Sequence, residues 1–363
     1  MSGPHPVVAA ARRAVRQVLS DAEVPTGRRL LLAVSGGSDS MALAQAVLFV
    51  AARDGYPMAS LTVDHGLRPD SRREAEQVAG WMQQHGVEQG LVRTVDVSGP
   101  GGPEAAARTA RYRALADVAR SLAGTDGAPA VVLLGHTADD QAETVLLGLA
   151  RGSGARSIWG MPVVGALPGA EDVIALRPLL QLEREDLRDG LRSADIDWVD
   201  DPTNDLDSNW RAADGTVLRR SAIRHRVLPE LSRALGPGVV GALGRTARQL
   251  RDDGAALDTW AQREIAGMGG QLAITYLRTL PVAVRTRVLR LEALAAGARA
   301  GELSTWHLAH LDDLVMGAGG GRGIDLPGGV RAVQRDGRIC FDGVGLEGVD
   351  PVDRPSAGRV KGR

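Results

Sequence analysis

A serine- and glycine-rich segment is the first set of residues that could do chemistry. Two adjacent glycines let the backbone approach a ligand closely, and successive N–H groups at a helix start favour an anion such as a phosphate. Asp39 is placed to hold Mg²⁺, which prefers oxygen ligands. The alternative is an ordinary helix-start loop capped by Ser40 or Asp39. The segment consists of Ser35, Gly36, Gly37, Ser38, Asp39 and Ser40.

A second set is acidic and lies in residues 135–144, with the sequence GHTADDQAET. Asp139 and Glu143 are four residues apart and Asp140 and Glu143 are three apart, so a helix would place the carboxylates over its positive first turn. Together with His136, they suit a cationic ligand or Mg²⁺. The alternative, Asp residues that cap a helix, explains one or two of the acids but not the whole group.

Two further candidates are less specific. Asp64 and His65 end an apolar run and are expected to contact adenosine or to order the following loop; an ordinary strand-end turn capped by Asp64 is the alternative. Arg108 and Arg111 lie three residues apart on a predicted helix that also carries Tyr112. Guanidinium groups suit phosphate or carboxylate recognition, whereas the alternative is a solvated helix face.

Apolar runs and helical patterns alternate along the first half and would position these residues. The apolar runs are 30–34, 59–63, 91–95 and 131–134, and the helical patterns are 41–53, 72–85, 104–122 and 138–150. A strand buried on both faces reads as a continuous apolar run. The alternation predicts an α/β fold with a doubly wound parallel sheet, Rossmann-like, which binds ligands at the carboxyl ends of its strands.

The second half has a different pattern. Helices are expected at 218–235, at 239–268 as one or two helices, at 282–296 and at 305–316, followed by a short hairpin over 323–333 and 337–341. Two Gly/Pro-rich segments, 98–103 and 162–169, are interpreted as loops. The predicted domains are therefore a catalytic domain (1–210), a basic helical linker (211–238), a smaller, mainly helical domain with the hairpin (239–346) and a flexible tail (347–363).

Composition excludes several classes of protein. The chain has 363 residues, a formal net charge of -1 and 43 Lys and Arg residues, of which only Lys361 is a lysine. This excludes a Walker A loop and a lysine Schiff base. The single cysteine, Cys340, excludes an internal disulfide and a cysteine zinc site. The longest apolar stretch is too short to span a bilayer and no signal peptide is apparent, so the cytoplasm and no membrane partner are expected.

The SGGSDS segment resembles the pyrophosphate loop (PP-loop) of the N-type ATP pyrophosphatases, which bind pyrophosphate without a lysine in the loop. This resemblance implies that ATP is a substrate and is cleaved to AMP and pyrophosphate, with Mg²⁺ at Asp39 and Asp139. The ATP-binding residues it implies are Ser35, Gly36, Gly37, Ser38, Asp39, Ser40, Asp64 and His65.

Further motifs over residues 29–235 resemble the tRNA(Ile)-lysidine synthetases. They are VDHGLRPDS at 63–71, ARTARY at 107–112, GHTADDQAET at 135–144, LARGSG at 149–154, RPLL at 177–180 and DDPTN at 200–204. A later segment, RSAIR at 220–224 followed by VLP at 227–229, matches the family except that Ser221 replaces the usual Asn. The region after residue 240 resembles the family only loosely, as a helical substrate-binding domain.

The family resemblance implies a two-step ligase reaction. ATP adenylates the carbon-2 oxygen of the wobble cytidine in an isoleucine tRNA with a CAU anticodon. The ε-amine of free L-lysine then attacks carbon 2 and AMP leaves, which forms lysidine. Asp140 and Glu143 are expected to bind lysine, one carboxylate or His136 to accept its proton, and Arg111 to steady the adenylate. The catalytic set is Asp39, Arg111, His136, Asp140 and Glu143.

An arginine-rich stretch in residues 211–233 is expected to contact backbone phosphates of the tRNA. The alternative is a solvated basic helix. The sequence leaves the oligomeric state open, with a homodimer among the options. The tRNA-binding candidates are Arg211, Arg219, Arg220, Arg224 and Arg226.

Other functions compete with this hypothesis. The first is another PP-loop pyrophosphatase, either an amide synthetase or an enzyme similar to a tRNA thiolase. Thiolation is disfavoured because one cysteine cannot pass sulfur between paired thiols. The second is a non-catalytic RNA-binding or nucleotide-sensing protein. Consumption of ATP that depends on both lysine and tRNA would separate these alternatives.

Overall fold

A computed structural model describes residues 3–66, 68, 70–98, 102–152, 154–200, 216–317 and 323–343. The chain divides into two units. The first contains residues 1–152 and 157–248, and the second contains residues 153–156 and 249–363. The domain boundaries expected at residues 210, 238 and 346 stay predictions.

A six-stranded sheet forms the centre of the first unit, in the order β3-β2-β1-β4-β6-β5. All neighbouring strands are parallel except the edge pair β5 and β6, which is antiparallel. The predicted α/β fold with a doubly wound parallel sheet is therefore confirmed. The strands are β1 (Leu30–Ala33), β2 (Met58–Asp64), β3 (Gln89–Thr94), β4 (Val131–Leu134), β5 (Val164–Leu167) and β6 (Ala170–Leu176).

Helices cover both faces of this sheet. One core contains apolar residues of α1, α2, α3 and α6, and the core on the other face contains residues of α4. A smaller cluster joins α5 to Leu228 of α8 and to Val240. The helices are α1 (Pro6–Asp21), α2 (Ser38–Asp54), α3 (Ser71–Gln84), α4 (Pro103–Ser121), α5 (Ala138–Arg151), α6 (Arg184–Arg192), α7 (Arg219–Ala222) and α8 (Leu228–Leu235), with a 3₁₀ turn at Ala155–Ile158.

Four parts of the first unit differ from the sequence expectation. The segment expected to be a loop at 162–169 contains β5, and the pattern of continuous apolar runs missed β6 because that strand exposes Glu171 and Asp172. Helix α6 was also missed, because it is short and buries only Leu187, Gly190 and Leu191. The single helix expected over 218–235 is interrupted by a π-helical turn at Ile223–Val227.

The second unit combines helices with a four-stranded antiparallel sheet in the order β7-β10-β9-β8. The expected smaller helical domain is confirmed, but the expected hairpin is part of this sheet; β7 has only two residues, too few to show a sequence pattern. Among the described residues, no helix is long and apolar enough to cross a membrane. The elements are α9 (Val239–Gly267), whose residues 239–248 belong to the first unit, β7 (Leu272–Ala273), α10 (Ile274–Leu277), α11 (Val282–Ala295), α12 (Thr305–Met316), β8 (Gly323–Leu326), β9 (Val330–Arg335) and β10 (Arg338–Asp342).

Candidate active site

The serine–glycine segment connects β1 to α2 at the carboxyl end of the sheet. Gly36 has a φ of +85°, and a Cβ atom there would lie 2.8 Å from Cγ2 of Val78, so a side chain is disfavoured by conformation and by space. Ser40 stabilises the turn, because its Oγ donates to the Gly37 carbonyl (2.8 Å) and accepts from the Ser35 N–H (3.2 Å). The segment is therefore a pre-formed turn.

Helix α2 begins directly at this turn, at Ser38. Its N-cap residue is Gly37, and no side-chain hydrogen bond within the described residues caps the helix. The alternative in which Ser40 or Asp39 caps the helix is therefore wrong. The positive helix start stays available for an anion, as the phosphate hypothesis requires.

Helix α5 follows β4, and its start packs against the serine–glycine turn. A Cβ atom on Gly135 would lie 2.9 Å from the Asp39 carbonyl oxygen, so only glycine allows this close approach. A capping box starts the helix: Oδ2 of Asp140 accepts from the N–H (2.8 Å) and the Oγ1 (3.1 Å) of Thr137. Capping thus occupies only one oxygen of one acid in the group.

Arg184, at the start of α6, connects the acids of both segments. Its Nε donates to Oδ2 of Asp39 at 2.8 Å, and its Nη2 donates to Oδ1 of Asp140 at 3.0 Å. Its backbone N–H donates to Oδ2 of Asp139 at 2.8 Å. One arginine therefore brings together three of the predicted acids. We call these three acids and Glu143 the acidic group.

Two arginines of the predicted basic linker also enter the acidic group. Arg224 donates through Nε to Oε1 of Glu143 (2.7 Å) and through Nη2 to Oδ1 of Asp140 (3.3 Å). Nη1 of Arg220 lies 3.6 Å from Oε2 of Glu143, and its Nε lies 3.4 Å from Oε1 of Glu104. Because the Glu143 side chain is fully buried, its charge depends on these partners.

Burial and ion pairs oppose each other in the acidic group. Burial raises the pKa of Asp39 and of Glu143 above the ordinary carboxyl range, against the opposing pull of Arg184 and Arg224 respectively. At Asp140 burial also favours the neutral form, but Arg184 and other neighbouring positive charges outweigh it and lower the pKa to about 2. Glu143 is therefore closer to proton exchange near neutral pH than Asp140 is.

His136 lies at the end of β4 beside the same group. Burial lowers its pKa to about 3, and the positive charges of Arg111, Arg177 and Arg108 add to this effect, whereas Asp140 opposes it. Its Nδ1 is buried and has no hydrogen-bond partner among the described residues. At neutral pH the imidazole is therefore uncharged and a weak base.

Asp64 is predicted to contact ATP, but its carboxylate already accepts hydrogen bonds from other residues of the protein. Its Oδ1 accepts from Ser71 Oγ (2.7 Å) and Gly66 N–H (2.9 Å), and its Oδ2 accepts from Thr94 Oγ1 (3.2 Å). Burial raises its pKa, but these hydrogen bonds outweigh burial, so the pKa is lowered overall. Asp64 thus orders the turn after β2. The ATP contacts of Asp64 and His65 stay predictions.

In the described part of the chain, the other predicted arginines form no hydrogen bond or ion pair with the four acids of this group. Arg108 and Arg111 flank Tyr112, with their guanidinium carbons 4.9 Å and 5.3 Å from the centre of its ring. Arg219 and Arg226 are exposed. Arg211 lies outside the described residues.

The carboxylates were tested as a metal site. No group of three or more His, Cys, Asp or Glu side chains within the described ranges could hold a metal ion on its own. Mg²⁺, however, is commonly bound by one or two carboxylates together with substrate phosphates. Asp39 and Asp139, which both contact Arg184, fit that kind of site.

Comparisons with known proteins identify the family of this chain. A PP-loop domain model matches residues 8–231, and a TilS substrate binding domain model matches residues 272–340. Among curated proteins, the tRNA(Ile)-lysidine synthase of Streptomyces coelicolor is 44% identical, over 93% of this chain and 99% of its own. That of Salinispora tropica is 46% identical, over 93% and 97% of the two chains. The chain belongs to the tRNA(Ile)-lysidine synthase family.

A solved structure supports the fold alone. The U34-tRNA thiolase NcsA from Methanococcus maripaludis, solved with its [4Fe-4S] cluster, aligns with a TM-score of 0.53 at 15% sequence identity. The alignment covers 67% of this chain and 79% of the thiolase. This likeness therefore shows the fold alone, and it is the PP-loop domain match that implies ATP as a substrate.

Sequence reasoning missed Arg184, which is the centre of the acidic group in this family member. Arg184 is one of many arginines in the chain, and its contacts with Asp39 and Asp140 span 145 and 44 residues. Its only local signal is its place at the first turn of a short helix that follows the RPLL motif.

Proposed function

We propose that the chain catalyses ATP-dependent ligation of L-lysine to carbon 2 of the wobble cytidine in the isoleucine tRNA with a CAU anticodon. The observation that carries this proposal is the acidic group itself. Four carboxylates adjoin a phosphate-type turn at the carboxyl end of the sheet, where one part of the site can bind an anion and the neighbouring part a cation. ATP and lysine are such a pair.

The turn after β1 would hold the phosphates of ATP. The uncapped start of α2 and the backbone of Gly36 and Gly37 supply N–H groups without a side-chain competitor. Asp39 and Asp139 would hold Mg²⁺, which offsets negative charge on pyrophosphate as it leaves. Arg111 is the candidate to steady the adenylated cytidine, because a guanidinium binds phosphate oxygens in a fixed geometry.

Glu143 and Asp140 would bind the ammonium group of lysine. Arg224 contacts both carboxylates, so it occupies the positions that a lysine cation needs. Lysine would replace Arg224 there, and the released guanidinium would become available to a tRNA phosphate. The same argument applies to Arg220, while Arg219, Arg226 and Arg211 are the remaining phosphate candidates.

The amine must lose a proton before it attacks carbon 2, because free lysine is protonated near neutral pH. Glu143 is the better acceptor, because burial raises its pKa whereas the pKa of Asp140 is about 2. The low pKa of His136, about 3, argues against the imidazole as the base. His136 would instead accept a hydrogen bond or pack beside the cytidine.

The decisive experiment is incubation with ATP, radiolabelled lysine and tRNA transcripts, followed by nucleoside analysis. We expect lysidine only with the isoleucine tRNA, and AMP formation that depends on both tRNA and lysine. Asp39→Asn should abolish both half-reactions. The matched control is Asp172→Asn, which removes an exposed carboxylate paired with Arg120 and should leave activity unchanged.

Two results would contradict the proposal. Near-normal lysine incorporation by Asp39→Asn would show that the acidic group is not the active site. AMP formation supported by ammonia or a sulfur donor, but not by lysine, would favour an amide synthetase or a thiolase instead. A cytoplasmic location and a homodimer stay predictions, which cell fractionation and size-exclusion chromatography would test.

A further inference from the structure

The second unit carries a group of three arginines around one carboxylate. Asp258 of α9 is paired with Arg156, and its Oδ1 accepts from Nε of Arg287 at 3.1 Å. Arg290 lies one turn further along α11 and is half-buried. Among the described residues, Arg290 has no hydrogen bond or ion pair. Two guanidiniums thus pair with Asp258, and a third, that of Arg290, lies beside them without such a partner.

The charges in this group interact strongly enough to affect Arg290. Burial lowers its pKa below the ordinary arginine value, and the neighbouring charge of Arg156 lowers it further, whereas Asp258 opposes both. Arg287 is held in place, because its Nη1 also donates to the Ala283 carbonyl at 2.8 Å. The group is therefore a fixed arrangement of charge with an unsatisfied cation, which an anion would complete.

An aromatic platform lies at the start of α12 in the same unit. Trp306 is 57% exposed, more than any other aromatic side chain among the described Phe, Tyr and Trp residues. The ring of His310 lies 4.0 Å from it, tilted by 36°, and His307 meets it edge-on at 5.1 Å. His307 is itself fixed by the capping box with Ser304, so the platform is anchored to the helix start.

The turn that carries Arg156 lies beside this platform. A Cβ atom on Gly154 would lie 3.3 Å from Cγ2 of Thr305, the residue before Trp306. Gly154 also has a φ of +87°, a conformation that favours glycine. Arg156 is two residues from Gly154, so the turn that carries Arg156 adjoins the start of α12, where Trp306 lies.

We propose that Arg156, Arg287, Arg290 and Trp306 form an RNA-contact surface, in which the arginines bind backbone phosphates and an unpaired base stacks on Trp306. Arginine charge beside an aromatic face is the combination that single-stranded RNA requires, because phosphates and base faces alternate along its chain. The inference rests on the proposed function, since it assigns to this surface part of the binding of the tRNA substrate.

The test compares Arg290→Ala and Trp306→Ala with the wild-type protein by filter binding of the isoleucine tRNA between about 50 and 300 mM salt. Loss of one phosphate contact should weaken binding about fivefold near 0.15 M salt and reduce the slope of log affinity against log salt by about 0.7 to 0.9. Loss of the stack should weaken binding roughly five- to hundredfold without changing that slope. Trp306→Phe should keep most of the affinity.

Arg335→Ala is the matched control, because it removes an exposed arginine paired with Asp342 on the antiparallel sheet of the same unit. It should bind tRNA as the wild type does, and equal thermal unfolding midpoints would show that all variants are folded. Unchanged tRNA affinity in either Arg290→Ala or Trp306→Ala would contradict the proposed RNA-contact surface. Failure of the wild type to bind the tRNA or to incorporate lysine would instead overturn the proposed function.

Discussion

The acidic group and the turn after β2 both contain carboxylates at strand ends of one sheet, yet they are stabilised in different ways. Asp64 accepts hydrogen bonds from uncharged donors, of which Gly66 and Ser71 lie two and seven residues away. Glu143 depends on Arg224, which is 81 residues away and carries a full charge. The first arrangement uses uncharged donors of the turn and of the neighbouring strand β3, whereas the second joins separate segments through charge.

This difference indicates which region is free to change partners. Uncharged donors of the turn and of β3 hold the Asp64 carboxylate in place, and its pKa is lowered. In the acidic group, Glu143 keeps a raised pKa in spite of its arginines, so its charged form is incompletely compensated. A ligand cation can replace an arginine there, whereas at Asp64 a ligand would have to disrupt the turn.

The largest expected effect is loss of lysine transfer in Glu143→Gln. Removing a general base together with a cation-binding charge should lower the rate of lysidine formation by at least about a hundredfold. AMP–tRNA formation should be affected much less, which rapid-quench measurement of the two half-reactions would show. Equal loss of both steps would mean that Glu143 is needed for the structure of the whole site and has no specific role in lysine transfer.

The next expected effect concerns pH and His136. The folded-state pKa of about 3 lies below the ordinary value of 6.5, so between these pH values the unfolded chain takes up a proton that the folded chain does not. The free energy of unfolding should therefore fall as pH is lowered from 6.5 towards 3, by up to about 1.4 kcal/mol per pH unit for this group.

His136→Asn should make that pH dependence shallower, as urea unfolding at pH 7, 6 and 5 would reveal. His310→Asn is the control, because His310 is exposed on α12. Parallel curves for His136→Asn and the wild type would show that the imidazole is not buried in its neutral form.

The sequence predicts the positions of the acids in the acidic group better than it predicts the arginines that contact them. Strands β1 and β4 were located within one residue, because both faces are buried and the apolar run is continuous. The i, i+3 and i, i+4 spacing of the acids on α5 was sufficient to gather Asp139, Asp140 and Glu143. Such short-range periodicity is a property of one helix and needs no tertiary information.

Tertiary contacts account for what was missed. The sequence predicts that Arg220 and Arg224 face RNA, but in the structure they contact Glu143. Nothing in the local pattern of a basic helix distinguishes these two orientations. Edge strand β5 was interpreted as a loop, because an edge strand alternates in exposure and needs a partner on one side only.

A smaller effect is expected at Asp64. Asp64→Asn keeps the shape of the side chain but places an amide beside donors, so the protein should lose about 1–3 kcal/mol of unfolding free energy. The KM for ATP should stay within about threefold of the wild type, because hydrogen bonds from the protein already occupy both carboxylate oxygens. A large rise in that KM with unchanged stability would instead place adenosine against Asp64.

The smallest expected effect is that of Ser71→Ala, which removes one donor to Asp64 at 2.7 Å. The carboxylate keeps two other donors, so the cost should be about 0.5–1.5 kcal/mol, without any change in lysine transfer. Ser98→Ala is the matched control, because its hydroxyl donates to exposed Asp96 and should contribute almost nothing. If Ser71→Ala lowered lysine transfer as Glu143→Gln does, the turn after β2 would belong to the reacting site, and the division between a local and an exchangeable carboxylate would fail.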